Sequence, residues 1–105
     1  MVDDAHATGV IGNGRGTAHH FGLTDVDVQL GTLSKALGSV GGYVAGRKEL
    51  IEYLINYSRS FIFSYTLCPR RIFGAALEAL RIVRDEPSVV DTLRDNTVYM
   101  AHKLP

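Results

Sequence analysis

The spacing of the apolar residues changes along this chain, and that change restricts the fold more than any single motif. Val26, Val28 and Leu30 alternate with polar residues, as in a short strand with one covered face. Gly41-Gly42-Tyr43-Val44-Ala45-Gly46 reads as a second short strand closed by glycine. From Lys48 to Tyr57 the spacing becomes helical, with Leu50, Ile51, Leu54 and Ile55 on one side. Phe61-Ile62-Phe63-Ser64 is an apolar run of strand length. Pro69 suits a first helical position, and Ile72, Phe73, Ala76, Leu80 and Val83 continue that helix along one face. Pro87 interrupts it, and Ser88 with Asp91 resembles a capping box for a last helix carrying Leu93, Met100, Ala101 and Leu104. Alternating strands and helices predict an α/β class.

Composition narrows the function classes. The chain has 105 residues, enough for one core and too few for two domains. Eleven Lys and Arg balance eleven Asp and Glu, which removes the usual electrostatic case for nucleic acid or an anionic membrane as partner. Apolar runs are too short to span a bilayer, and the first residues lack the pattern of a signal peptide. One cysteine, Cys68, excludes an internal disulfide or a multi-cysteine zinc site and fits a reducing cytosol. Val2-Asp3-Asp4-Ala5-His6 reads like the carboxyl end of a buried strand without the apolar residues that should precede it. The expectation is a piece of a larger protein, with some parts of any active site outside it.

Three groups of residues could carry chemistry. Lys35 lies among Gly31, Thr32, Ser34, Ala36, Gly38, Ser39, Gly41 and Gly42, small residues that leave room and supply hydroxyls and N–H groups. An ordinary surface lysine fits, and so does an amine that forms a Schiff base with a carbonyl cofactor, with Thr32 and Ser34 donating to a nearby phosphate. Asp3 and His6 fit a turn-fixing hydrogen bond or half a metal site, although no second ligand cluster accompanies them and His19-His20 sits in an ordinary loop. A carboxylate at a strand end can also pair with a protonated ring nitrogen, so Asp3 and Lys35 on adjacent strands could approach one cofactor. Ser64, Tyr65 and Thr66, just before Pro69, fit either hydrogen bonding at a helix start or phosphate capture there.

The remaining features read more plainly. Residues 9–22, with Gly9, Gly12, Gly14, Gly16 and Gly22, form a loop shaped by positive-φ turns. Gly12-x-Gly14-x-Gly16 is not a dinucleotide fingerprint, and Arg15 is expected to be exposed or paired to a neighbouring subunit. Tyr53 and Tyr57 suggest a packing stripe, and Cys68 a small apolar filler.

Taken in order, Val2-Asp3-Asp4-Ala5-His6-Ala7-Thr8-Gly9, Gly14-Arg15-Gly16-Thr17, the Gly31–Gly38 segment around Lys35, Gly41-Gly42-Tyr43 and Phe61–Ser64 closely resemble the α-oxoamine synthase family of pyridoxal-phosphate (PLP) enzymes. The resemblance runs over essentially the whole chain. It implies part of the large PLP-binding domain of the fold-type-I aminotransferase architecture, in a cytoplasmic homodimer with active sites at the subunit interface. Residues 1–86 would be the latter part of that domain, and residues 87–105 the start of the helix leading to a C-terminal domain.

By the same resemblance, Lys35 matches the lysine that forms the Schiff base and removes the substrate α-proton. Asp3 matches the aspartate on the pyridine nitrogen, His6 the histidine on the phenolic oxygen, and Thr32 a phosphate contact. Ser64 and Thr66 fall in the segment that reaches the phosphate of the other subunit's cofactor, where Tyr65 replaces a small residue and Cys68 a common proline. The family's ring-stacking histidine, an upstream serine and the arginine that holds the substrate carboxylate have no counterpart here. No metal site is implied. The implied reaction joins an amino acid to an acyl-CoA with release of CoA, and loss of carbon dioxide gives an amino ketone. Within the family the chain is most like the member that condenses L-alanine with pimeloyl-CoA, or pimeloyl on acyl-carrier protein, in biotin biosynthesis. Next comes the member that uses glycine and acetyl-CoA. The short chain alone would be an inactive fragment holding half a site, with interface surface exposed.

Overall fold

In the computed structural model, the described residues are 1–62 and 69–104. Their elements are β1 (Val2–Asp3), α1 (Thr17–His20), β2 (Val28–Thr32), β3 (Gly42–Gly46), α2 (Lys48–Tyr57), α3 (Arg59–Ile62), α4 (Pro69–Asp85) and α5 (Pro87–Lys103). The strands form one sheet in the order β1-β2-β3. β1 runs parallel to β2 with Asp3 opposite Leu30, and the Asp4 N–H extends that ladder to the Leu30 carbonyl at 2.7 Å. β2 and β3 are antiparallel, Val28 opposite Gly46 and Thr32 opposite Gly42.

β2 lies two residues later than the alternation of Val26, Val28 and Leu30 predicts. The ladder continues through Gly31 and Thr32 because Tyr43 and Gly42 stand opposite them. Asp27, at the other end, is outside the strand and takes an ion pair from Arg47 at 2.6 Å. The Gly31–Tyr43 pair needs glycine on β2. A Cβ built on Gly31 would lie 2.5 Å from both Cζ and Oη of Tyr43.

The glycine-rich segment 9–22 behaves as its composition predicts: Gly9, Gly12, Gly14, Gly16 and Gly22 all have positive φ. A bridge between Thr8 and Arg15 closes its base, and Arg15 is exposed. The short helix α1 inside it was not expected from sequence. Its first N–H, of Thr17, donates to Oδ1 of Asp4 at 3.1 Å.

The core is small and sits under the loop between β2 and β3. Leu33, Leu37 and Ala76 are its buried members, with Tyr43 and Ala79 packed against them. On α4 the inward residues are Ile72, Ala76, Ala79 and Val83, three or four apart as one helix face requires. Phe73 and Leu80, expected on that same face, are exposed instead and make an adjoining stripe with Leu77. The apolar arc of α4 is wider than the surface that the loop covers.

Helix α2 has the bounds that its periodicity predicts. Tyr53 and Tyr57 stack on each other, ring centroids 4.7 Å apart, but both remain exposed, so they pack as a pair and not against the core. The strand expected over residues 61–64 is not formed in its described part. Residues 61 and 62 close the helical turn α3, which follows α2 after the single break at Ser58. Local hydrogen bonds suffice for a turn of helix, whereas a strand needs a neighbour. α5 starts at Pro87, one residue before the expected cap. Proline has no N–H to satisfy at a helix start, and Ser88 lies inside the first turn, its carbonyl accepting from the Thr92 hydroxyl at 2.8 Å. No side chain caps α5, so the capping box is absent.

Candidate active site

β1 and β2 end side by side, and the residues singled out for chemistry follow those ends. In parallel sheets the carboxyl ends of strands are where ligands gather, because the loops leaving them can be shaped without disturbing the ladder. Asp3 is the last residue of β1, His6 lies in the turn that follows, and Lys35 is in the loop leaving β2. Asp3, His6 and Lys35 are all exposed at the surface.

The Lys35 loop is closed by its own backbone. Leu33 N–H donates to Gly41 O at 2.8 Å, Ser39 N–H to Leu33 O at 2.7 Å, and Gly38 N–H to Lys35 O at 3.0 Å. Gly38 and Gly41 have positive φ, and nothing lies within 4 Å of a Cβ built on either. Leu33 and Leu37, two residues to either side of Lys35, are 8% and 3% exposed. The lysine therefore stands outward between two anchored neighbours.

Two carboxylates follow each other at the end of β1 and do different work. Asp3 Oδ1 accepts from the Ala5 N–H at 2.9 Å, which fixes the turn and leaves Oδ2 outside it. Asp4, on the opposite side of the pleat, is 7% exposed and holds the start of α1 through Thr17. Gly16 packs so closely on Asp4 that a Cβ there would overlap the carboxylate. Sequence reading passed over Asp4. The available signal was strand alternation, which sends one of two adjacent residues inward.

The Thr32 hydroxyl is already occupied. It donates to Gly41 O at 3.0 Å and lies 2.8 Å from Ser34 Oγ, while Ser34 N–H points to it at 3.3 Å. With its single proton on Gly41 O, Thr32 accepts from Ser34. A phosphate taken by Thr32 would replace the Gly41 carbonyl as receiver of that proton. Ser64 and Thr66, with Tyr65 and Cys68, lie outside the described residues.

The donor set suits a pyridoxal cofactor: an outward amine, a strand-end carboxylate with one oxygen outside its turn, an exposed imidazole, and open space over Gly38 and Gly41. Among the described residues no helix is long and apolar enough to cross a membrane.

The sequence pattern of the family described as "Aminotransferase class I and II" matches residues 1–104. An 8-amino-7-oxononanoate synthase of Petrotoga mobilis is 52% identical over 106 residues, covering 99% of this chain and 27% of that relative. The crystal structure of 8-amino-7-oxononanoate synthase from Francisella tularensis superposes with a TM-score of 0.76 at 34% identity, over 90% of this chain and 29% of the other. A serine palmitoyltransferase from S. paucimobilis, solved with bound PLP-myriocin aldimine, gives a TM-score of 0.68 at 34% identity, over 78% of this chain and 22% of that one. The chain thus spans little more than a quarter of the curated relative's length. Its α/β architecture is that of fold-type-I enzymes, and the chain belongs to the aminotransferase class I and II family.

Proposed function

We propose that this chain is part of a PLP-dependent 8-amino-7-oxononanoate synthase, which condenses L-alanine with a pimeloyl thioester in biotin biosynthesis. The observation that carries the reading is the outward Lys35 on its closed loop, at the same sheet end as Asp3 and His6, in a chain 52% identical to a relative of that name.

Bound pyridoxal phosphate supplies a carbonyl for amine exchange and a ring able to take up an electron pair. Lys35 would supply the amine for that carbonyl and would serve as the base for the α-proton of alanine. Asp3, whose Oδ1 keeps the turn, would hold a proton on the ring nitrogen. His6 would donate to the phenolic oxygen, and Thr32 would hold the phosphate from the loop base once its proton leaves Gly41 O. By the family resemblance, Ser64 and Thr66 would serve the cofactor of a second subunit in a homodimer. The exposed stripes of α2 and α4 support such further contacts, since Tyr57 is 69% and Phe73 59% exposed. The change from α4 to α5 at Glu86 supports a domain division there, with residues 1–86 in the cofactor domain and 87–105 opening the link to the next. A cytoplasmic enzyme fits the single cysteine.

The test is reduction of the full-length protein with borohydride in the presence of pyridoxal phosphate, followed by peptide mapping and assays with alanine or glycine. A pyridoxyl group on Lys35 and release of CoA from pimeloyl-CoA with alanine are expected. Modification elsewhere would refute the lysine, and turnover of glycine with acetyl-CoA alone would reassign the substrates.

A further inference from the structure

Ser39 uses both of its polar groups to hold the Lys35 loop. Its N–H closes the loop on Leu33 O at 2.7 Å. Its hydroxyl leaves the loop and donates to the Ile72 carbonyl of α4 at 2.9 Å, in a partly buried position. A helix carbonyl that accepts from its own i+4 N–H keeps a second lone pair, so Ile72 can take this donor without loss to α4. The i+4 residue is Ala76, the buried residue that meets Leu33 and Leu37. The polar and the apolar contacts of the loop therefore reach the same turn of the same helix.

These contacts do different things. Leu33 and Leu37 seat the loop through apolar burial, which is non-directional and lets a surface slide. The Ser39 bond is directional and fixes where along α4 the loop rests. We infer that Ser39 is a positioning residue for Lys35, registering the lysine loop against the first turns of α4. The inference rests on the reading of Lys35 as the amine that bonds the cofactor.

The test compares Ser39→Ala, Ser39→Cys, Ser39→Thr and Lys35→Ala in the full-length enzyme. One readout needs no cofactor: amide hydrogen exchange of residues 33–41 in the cofactor-free protein. Loss of one net hydrogen bond should speed exchange there about fivefold in Ser39→Ala and Ser39→Cys, with residues 28–32 unchanged. The second readout is kinetic. The two variants should lose roughly tenfold in kcat with KM for the acyl substrate unchanged, since a misplaced amine affects the chemical step more than acyl binding. Ser39→Thr should restore both.

Wild-type exchange and kcat in Ser39→Ala or Ser39→Cys would overturn the assignment. So would a Ser39→Thr variant as impaired as Ser39→Ala, because shape and not donation would then matter. If Ser39→Ala does not fold, the near-isosteric Cys and the donor-bearing Thr carry the same comparison. Retained turnover in Lys35→Ala would remove the underlying reading and this inference with it. An inactive Lys35→Ala beside a wild-type Ser39→Ala would overturn the role of Ser39 alone.

Discussion

Gly31 and Tyr43 face each other across β2 and β3, with the tyrosine ring lying where a side chain on residue 31 would be. Tyr43 packs on the Leu33–Leu37–Ala76 core and its hydroxyl comes within 3.4 Å of Thr8 Oγ1. Gly31→Ala would push the ring off both. The expected cost is about 1–3 kcal/mol of stability, as for other overpacked positions. Thermal unfolding of the full-length variant measures it, and an unchanged midpoint would mean that the ring moves aside freely.

Asp4 predicts a loss of similar size by another route. Asp4→Ala removes the acceptor for Thr17 N–H from a buried position, at a cost of about 1–2 kcal/mol. Asp4→Asn keeps an acceptor and should lose less. The order of their unfolding midpoints is the check, and equal losses would shift the weight to the carboxylate's charge.

Lys35→Ala should leave the fold intact, because the lysine side chain is outside the core, and abolish covalent attachment of the cofactor. Asp3→Asn should keep attachment but lower turnover roughly ten- to hundredfold, the worth of one charge-assisted hydrogen bond. Absorption spectra and steady-state rates separate the two variants. Equal turnover in Asp3→Asn would contradict its role at the ring nitrogen.

Arg84 and Asp85 form a two-pronged pair at 2.6 and 2.8 Å near the end of α4. The hydrogen bond from Arg84 holds the Asp85 carboxyl below the usual carboxylate range, against desolvation and with help from the charges of Arg84 and Arg81. The bond to Asp85 likewise holds Arg84 above its ordinary value. A lowered carboxyl contributes stability above its unfolded pKa and loses it as pH falls through the folded one. Both side chains are solvent-exposed, so the contribution is small. Asp85→Asn should be slightly less stable than wild type near neutral pH, and the gap should close in acid. Unfolding midpoints across that range would show the sign, and a gap that widened in acid would reverse it.

Local features were legible in the sequence. The bounds of α2 followed from Leu50, Ile51 and Leu54, the positive-φ turns from glycine content, and the open setting of Lys35 from its small neighbours. What escaped depends on contacts between distant parts of the chain. Asp4 meets Thr17, thirteen residues away, and Ser39 meets Ile72, thirty-three away, with no periodic pattern to announce either. The run that starts at Phe61 suits a strand by composition, but its described residues, 61 and 62, belong to the helical turn α3. Ser88 and Asp91 look like a cap, yet α5 opens at Pro87, whose missing N–H leaves one fewer donor to satisfy in the first turn.

Leu33 and Leu37, buried on either side of Lys35, and the Ser39 bond to Ile72 together turn the loop into a bracket bolted to α4. A backbone held this way has little travel of its own, so the amine's reach is that of its side chain, a tether of four methylenes. On the proposed role of Lys35, exchange of one partner for another would be a change of torsion angles, with the main chain staying put. Lengthening or shortening that tether by one carbon should therefore do more harm than many substitutions in the loop around it.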